Sequence, residues 1–462
     1  MRASRLWRIF AMLLALSLVA AACGDDDDDT DAATDDTTED TADDGGDDGG
    51  EDDGDSGAME GEIEVAEGTV INTDDCPSDW DPEAGLTDDE ITLFMSLPES
   101  GPVAALGGLD DGMRAWFDQM EPIDGRTINL VSSDDAYDPA RTLSNVEDSL
   151  ETEEPFAMTY MVGTANVLAV RDLVSDECMP MLFNSTGFPA WGDPAEYPWT
   201  IGGLLGYNTE ADLWCTYVNQ EIGEDATVAA LFMDNDFGLA YEETVNECDI
   251  DLVESVRHDP AAPDVTSEIT TLASSDADVV LLGTTGAPCP QAMAAIAQSS
   301  WQPQVILSNT CQGIATYFAP IDPAGDGVLV AATAKEAGEL EDEDVMAARE
   351  ALEAAGLNPD EGSFYTGVIF AHTVENTLRA AAEMEGGLNR VNLMRAVWNA
   401  DFSNPLGLDG GTYQTNGTSD AYLVEAAQFV QYVPPAEGEE LGRYEPVGDL
   451  INIEGQTGSV GG

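Results

Sequence analysis

The sequence predicts an α/β fold of two doubly wound parallel-sheet lobes. From Glu90 onward, short apolar runs alternate with segments whose apolar residues recur at helical spacing. Short buried runs of this kind, separated by amphipathic helices, are the pattern of parallel strands covered on both faces. The alternation comes in two sets, parting near residue 204, and each set is long enough for its own sheet.

The first set opens with a strand at Glu90–Leu97, stopped by Pro98. A helix over Val103–Met120 follows, then a strand from Thr127 to Val131 and a helix from Pro139 to Glu151. The set continues through a strand at Ala157–Val162, a helix at Asn166–Leu173 and a strand at Met179–Phe183. The second set starts with helix Glu210–Glu221 and strand Thr227–Met233. It runs on through helix Leu239–Cys248, strand Asp251–Val256, helix Val265–Ala273, strand Val279–Leu282, helix Gln291–Ser299 and strand Gln304–Leu307. Beyond these, Val328–Thr333 reads as a strand, and helices Val345–Ala355, Tyr365–Met384 and Asn389–Trp398 have no strands between them. Helices without a sheet of their own must pack on a lobe already built, so the chain crosses between lobes more than once. Residues 410–432 read as a pair of antiparallel strands, and 446–462 as a flexible tail.

Charge narrows the partners. The 462 residues carry 92 acidic and 14 basic side chains, a formal net charge of −78, with Lys335 the single lysine. Phosphate binding needs basic footprints, so nucleic acid is excluded as a partner. Self-repulsion on this scale points to a fold adapted to salt. No HExxH, GxSxG, Walker A or Rossmann glycine fingerprint occurs, and two histidines and one lysine leave few acid–base groups for catalysis. The acidic pairs Asp110-Asp111 and Glu242-Glu243 read as solvated faces. No cysteine pair has CxxC spacing, so neither a zinc site nor any other metal or cofactor is expected.

The N-terminus reads as an export signal. A basic stretch, Met1–Arg8, precedes an apolar run from Ile9 to Ala22, too short to span a bilayer core of roughly 30 Å. The run ends Ala20-Ala21-Ala22-Cys23-Gly24, which resembles the bacterial lipobox. That resemblance implies cleavage before Cys23, acylation of its sulfur and anchoring to the outer face of the cell membrane. Residues 24–57 hold 18 Asp or Glu and no basic residue, and read as an extended, disordered tether.

Several loop sequences carry a second resemblance. They are Leu97-Pro98-Glu99-Ser100-Gly101-Pro102, Asp134-Asp135-Ala136-Tyr137-Asp138-Pro139, Met161-Val162-Gly163-Thr164, Asn184-Ser185-Thr186-Gly187 and Asp234-Asn235-Asp236-Phe237-Gly238. In order and spacing over residues 85–432, these resemble type I periplasmic-binding proteins of the branched-chain amino acid and amide group, which serve ABC importers. The resemblance implies two lobes joined by three crossovers that close over a small solute. It divides the chain into a signal peptide (1–22), the lipidated cysteine and tether (23–57) and a lead-in (58–87). The first lobe then takes 88–203 and 328–405, the second 204–327 and 406–445, and the tail 446–462.

Carried over by position, Thr164 and Thr186 fall on hydroxyl ligands of a carboxylate, Asn184 offers a backbone group and Leu106 falls on an apolar wall. Phe237 stands where a tyrosine often closes from the second lobe. Ser100 and Thr284 complete the ligand loops. Thr310 stands where amino acid binders place a glutamate that pairs with the ligand's ammonium. A buried ammonium without a countercharge is costly. The solute is therefore either matched by another carboxylate or is not an α-amino acid, and amides and small carboxylates come into range. The resemblance implies a monomer that delivers its solute to an ABC permease; a ligand sensor coupled non-covalently to a membrane partner is the alternative.

Six cysteines besides Cys23 allow fifteen connectivities. Placed on the expected lobes, Cys76 with Cys178, Cys215 with Cys248, and Cys289 with Cys311 lie nearest one another, the last pair at neighbouring strand ends.

Overall fold

A computed structural model describes residues 61–460. The expected export signal, Cys23 and the expected acidic tether lie outside the described residues. A hairpin of β1 (Glu62–Ala66) and β2 (Thr69–Asn72) precedes the first sheet.

That first sheet is wholly parallel, in the order β4-β3-β5-β6-β7, built from β3 (Glu90–Leu97), β4 (Thr127–Asp134), β5 (Ala157–Thr159), β6 (Met181–Asn184) and β7 (Thr200–Gly202). β3 is the reason both faces must be covered, because its last five residues, Phe94 included, are all buried. The second sheet repeats the order as β9-β8-β10-β11-β12, from β8 (Thr227–Met233), β9 (Asp251–His258), β10 (Val279–Gly283), β11 (Gln304–Leu307) and β12 (Leu329–Ala332). These five are parallel. In each sheet the strand order reverses next to the first strand, and loops leaving the carboxyl ends there open a crevice.

The chain returns to the first lobe through helices Glu343–Ala354, Gly362–Ala382 and Arg390–Trp398. Helix Gly362–Ala382 crosses helix Leu109–Phe117 at backbone contact. A Cβ on Gly112 would collide with the Phe364 carbonyl, and one on Gly367 with the Leu109 carbonyl. Arg390 fixes the next helix: its buried guanidinium donates to the carbonyls of Phe156 (3.1 Å) and Pro155 (2.8 Å), at the start of β5. Desolvation lowers its pKa to about 10, so it remains charged at neutral pH.

Three expectations are corrected here. The strand read at 328–333 pairs with β11 and belongs to the second sheet, so the return to the first lobe begins after Ala332 rather than at residue 328. The segment 410–432 is not one antiparallel pair. β14 (Tyr413–Gln414) pairs with β13 (Asp401–Phe402), and β15 (Ala426–Val433) pairs with β12 and with β16 (Arg443–Pro446). Nor does the tail hang free: β17 (Ile451–Asn452) pairs with β15, and the Val460 amide donates to Gly192. For the first two the reason is that periodicity marks a strand but not its partner, and the tail strand is too polar for periodicity to mark.

The described cysteines form disulfides Cys76–Cys178, Cys215–Cys248 and Cys289–Cys311. The last pair is fully buried, with Cys311 in the turn that follows β11. Among the described residues no helix is long and apolar enough to cross a membrane.

Candidate functional site

The two sets of carboxyl-end loops face each other across a cavity of about 130 Å³. The first lobe contributes Leu106 after β3, Tyr160 and Gly163 after β5 and Ser185 after β6. Phe237, Thr285 and Thr310 come from the second. Helix Gly362–Ala382 supplies a stripe of Gly362, Thr366, Phe370 and Thr373, spaced to share one helical face.

Aromatic packing fixes the walls. Tyr160 stacks flat on Phe370, with centroids 3.8 Å apart and planes 7° from parallel. Tyr207 meets Phe237 edge-on at 4.8 Å. Phe237 is positioned by its own helix, Asp236–Glu247, whose N-terminus is capped by the Asn235 side chain accepting from the Gly238 amide at 3.2 Å. The lobes touch at this edge. A Cβ on Gly286 of the second lobe would lie 2.7 Å from Val103 Cγ1 of the first, and the positive φ of Gly286 (+71°) also favours glycine. Tyr137 and Tyr160 both adopt left-handed backbone conformations (φ +62° and +45°), a strain of about 1–3 kcal/mol that persists only where packing enforces it.

Of the residues expected from sequence, Leu106, Phe237 and Thr310 line the cavity and five do not. The Thr164 and Thr186 hydroxyls lie 2.7 Å apart, both buried and turned to each other, while the nearby Tyr207 lines the cavity in their place. Burial raises the pKa of the Tyr207 phenol to about 12. Asn184 is buried and donates to the Ile201 carbonyl at 3.1 Å. Thr284 bonds His258 Nε2 at 2.8 Å, while its neighbour Thr285 faces the cavity. Ser100 is exposed and donates to Asp134 Oδ2 at 2.7 Å.

Sequence reasoning missed the tyrosines, Phe370 and the threonine stripe. The signal was present in the stripe, because Thr366 and Thr373 fall within the mainly apolar stretch 365–374 at spacings that return to one face.

Behind Thr310 lies a buried hydrogen-bond relay. Thr310 Oγ1 is 3.0 Å from Ser308 Oγ, which is 2.9 Å from the Tyr241 hydroxyl, which donates to Glu210 Oε2 at 2.6 Å. The other Glu210 oxygen accepts from the Asn309 amide at 2.8 Å. Desolvation pushes the Glu210 pKa up to about 8, against the lowering effect of those donors. Glu210 therefore reaches the loop that carries Thr310, but it does not line the cavity.

The lining as a whole is uncharged. Its thirty residues include no Asp, Glu, Lys, Arg or His, in a chain of which 23% is charged. Such a surface can desolvate and orient a solute through hydroxyls, amides and backbone groups.

The family model for periplasmic binding proteins matches residues 90–433. The chain belongs to that family. Periplasmic binding proteins of this kind take small-molecule solutes and work with ABC transporters. The periplasmic binding protein fold recurs in solved structures at low identity. A fatty acid ABC transporter substrate-binding protein from Thermomonospora curvata superposes with a TM-score of 0.68 at 18% identity, covering 82% of this chain and 97% of that one. A branched-chain amino acid ABC transporter protein from Thermus thermophilus, with bound valine, gives 0.69 at 17%, covering 79% and 97%. A solute-binding protein from Rhodopseudomonas palustris HaA2, in complex with p-hydroxybenzoic acid, gives 0.67 at 17%, covering 79% and 98%. No curated protein matches the sequence.

Proposed function

We propose that this periplasmic binding protein captures a compact, mainly apolar solute without an ammonium group, by closure of its lobes, and delivers it to an ABC importer. The observation that carries the reading is the uncharged lining. A zwitterionic amino acid would bury its ammonium with no carboxylate in contact, and Glu210, the carboxylate wired to this loop, points its oxygens at Tyr241 and Asn309 instead. A carboxylate on the solute is easier to hold. Gly163 and Gly362 bring the N-terminal ends of two helices to the cavity, where backbone donors favour negative charge.

Size agrees with a small ring. Apolar cavities of about 150 Å³ accept benzene, and Tyr160, Phe370 and Phe237 offer ring faces and edges. Amides and aromatic or short aliphatic acids fit this chemistry, as does the p-hydroxybenzoic acid held by the Rhodopseudomonas palustris protein. Export and acylation at Cys23 would keep the binding protein beside its permease on the outer face of the membrane. The same capture would also serve a surface sensor, and a permease gene beside this one would favour import.

A thermal-shift panel in high salt tests the reading, with α-amino acids, amides, polyamines and small aromatic or aliphatic acids at equal concentration. Amides or acids should raise the melting temperature and amino acids should not. A largest shift from valine or leucine would sink the ammonium-free assignment, and no shift from any solute would sink capture itself.

A further inference from the structure

The docked C-terminal segment brings together three carboxylates that nothing in the solute site uses. Asp420 follows the turn Gly417–Ser419, Glu425 precedes β15 and Glu454 follows β17, so the cluster draws on three separate stretches of chain. One oxygen from each lies within 4.8 Å of the others. Hydrogen bonds account for only part of their capacity. Glu425 Oε2 accepts from the Gly455 amide at 2.6 Å, and Glu454 Oε2 from Thr412 Oγ1 at 3.4 Å. Asp420 Oδ1, Glu425 Oε1 and Glu454 Oε1 are inaccessible to solvent and meet no donor at hydrogen-bond geometry, although Thr457 lies close to Glu425 and the Asp420 and Glu454 carboxyls approach each other. Glu425 is 2% exposed and Asp420 9%, so these are unpartnered acceptors on buried side chains. Among the described residues no Lys, Arg or His forms an ion pair with any of the three.

We propose that Asp420, Glu425 and Glu454 bind one hard divalent cation, calcium, which clamps the C-terminal segment onto the second lobe. Three carboxylates without a counter-ion, Glu425 buried and the others at least half-buried, repel one another and lose solvation, an arrangement that a cation converts from cost to stabilisation. The side-chain donors are all carboxylate oxygens, with no His or Cys in the cluster, which disfavours the borderline and soft metals. Oxygens bound to one calcium at about 2.3–2.6 Å lie at most about 5 Å apart, which the observed spread meets. Magnesium demands a tighter octahedron than three independent loops supply. The backbone already holds the segment in register. Ile453 donates to the Glu425 carbonyl at 3.1 Å and Ala421 to the Gly458 carbonyl at 3.0 Å, so the carboxylates are carried by paired backbone. The rival arrangement is a proton shared between Asp420 and Glu454.

The test uses the full chain, stripped with chelator and held in molar NaCl so that calcium bound diffusely by other acidic groups is suppressed. Calorimetric titration with CaCl2 should show one saturable site, and calcium should raise the melting temperature and slow amide exchange at residues 453–458. Glu425→Gln and Glu454→Gln should each weaken that site by about 100-fold, through the lost ligand charge, while the exposed Glu221→Gln leaves it unchanged. Glu454 sits on the tail, so its variant folds even where a core change at Glu425 does not. The absence of a saturable site would overturn the proposal, as would binding by both variants as tight as that of the parent chain. Tail protection that follows pH and ignores calcium would overturn it in favour of the shared proton.

Discussion

Glu210 sits at the meeting of the site and the core, and its chemistry is set by what encloses it. Its side chain is fully buried, accepts from Tyr241 and the Asn309 amide, and has a pKa raised to about 8. In the unfolded chain the same group titrates near about 4.3. Between those values the folded protein holds a proton that the unfolded chain has released, so stability must fall as pH rises from about 4.3 through 8. Glu210→Gln removes this dependence. Its amide oxygen can accept from Asn309, and its NH2 can donate to Tyr241, whose hydroxyl then donates onward to Ser308 at 2.9 Å. Relative to the parent chain, the variant should gain stability progressively from pH 5 to pH 8 in urea denaturation at each pH. A constant difference between the two chains across that range would refute the raised pKa. The same relay explains why the position of Thr310 was legible in the sequence while its role was not. A strand-end loop places the residue, but only the fold shows that the nearest carboxylate turns away from the cavity. Thr164 and Thr186 fail for a related reason: Tyr207, which lines the cavity in their place, begins a helix twenty-one residues beyond Thr186 in the chain, beyond the reach of any local pattern.

At the scale of elements, strands buried on both faces could be read almost to the residue. Glu90–Leu97, Thr227–Met233 and Gln304–Leu307 have the bounds that their apolar runs and flanking Pro, Asp and Ser suggest. What the pattern could not supply was partnership. β12 joins the second sheet, and β17 docks a segment too polar to read as a strand. The crossing of helices Leu109–Phe117 and Gly362–Ala382 is a case where sequence held the cue in plain view, as Gly112 and Gly367 inside helices otherwise costly for glycine. Replacing Gly367 by Ala gains up to about 1 kcal/mol of helix propensity, but its Cβ would strike the Leu109 carbonyl, and overpacking costs about 1–3 kcal/mol. The collision is with backbone, which cannot move aside as a side chain would. Gly367→Ala should therefore lower the urea midpoint, while Gly338→Ala, which meets nothing within 4 Å, should not. A neutral Gly367→Ala would mean that the helices separate at little cost.

For the whole molecule, the net charge of −78 governs both stability and closure. Hydrophobic packing and disulfides hold each lobe against repulsion that acts over about 10 Å at 0.1 M salt and about 3 Å at 1 M. Exposed ion pairs cannot offset it, since a few Arg side chains such as Arg257 serve several carboxylates and such pairs contribute about 0–1 kcal/mol each. With chelator present to exclude divalent ions, the melting temperature should rise steeply as NaCl is added and then flatten once screening is complete. An effect from salt exclusion at the surface would instead continue to grow with concentration. The proposed closure adds a second consequence, because it would bring two acidic lobes together around an uncharged cavity. A neutral solute has no charge of its own to be screened, so its affinity should strengthen with salt as the closed state is relieved of repulsion. Titration of the best-binding amide from the panel across the same salt series measures this directly. Affinity for the amide that fails to strengthen with salt would show that closing the lobes relieves no repulsion, and a flat melting temperature would show that the acidic surface is electrostatically idle.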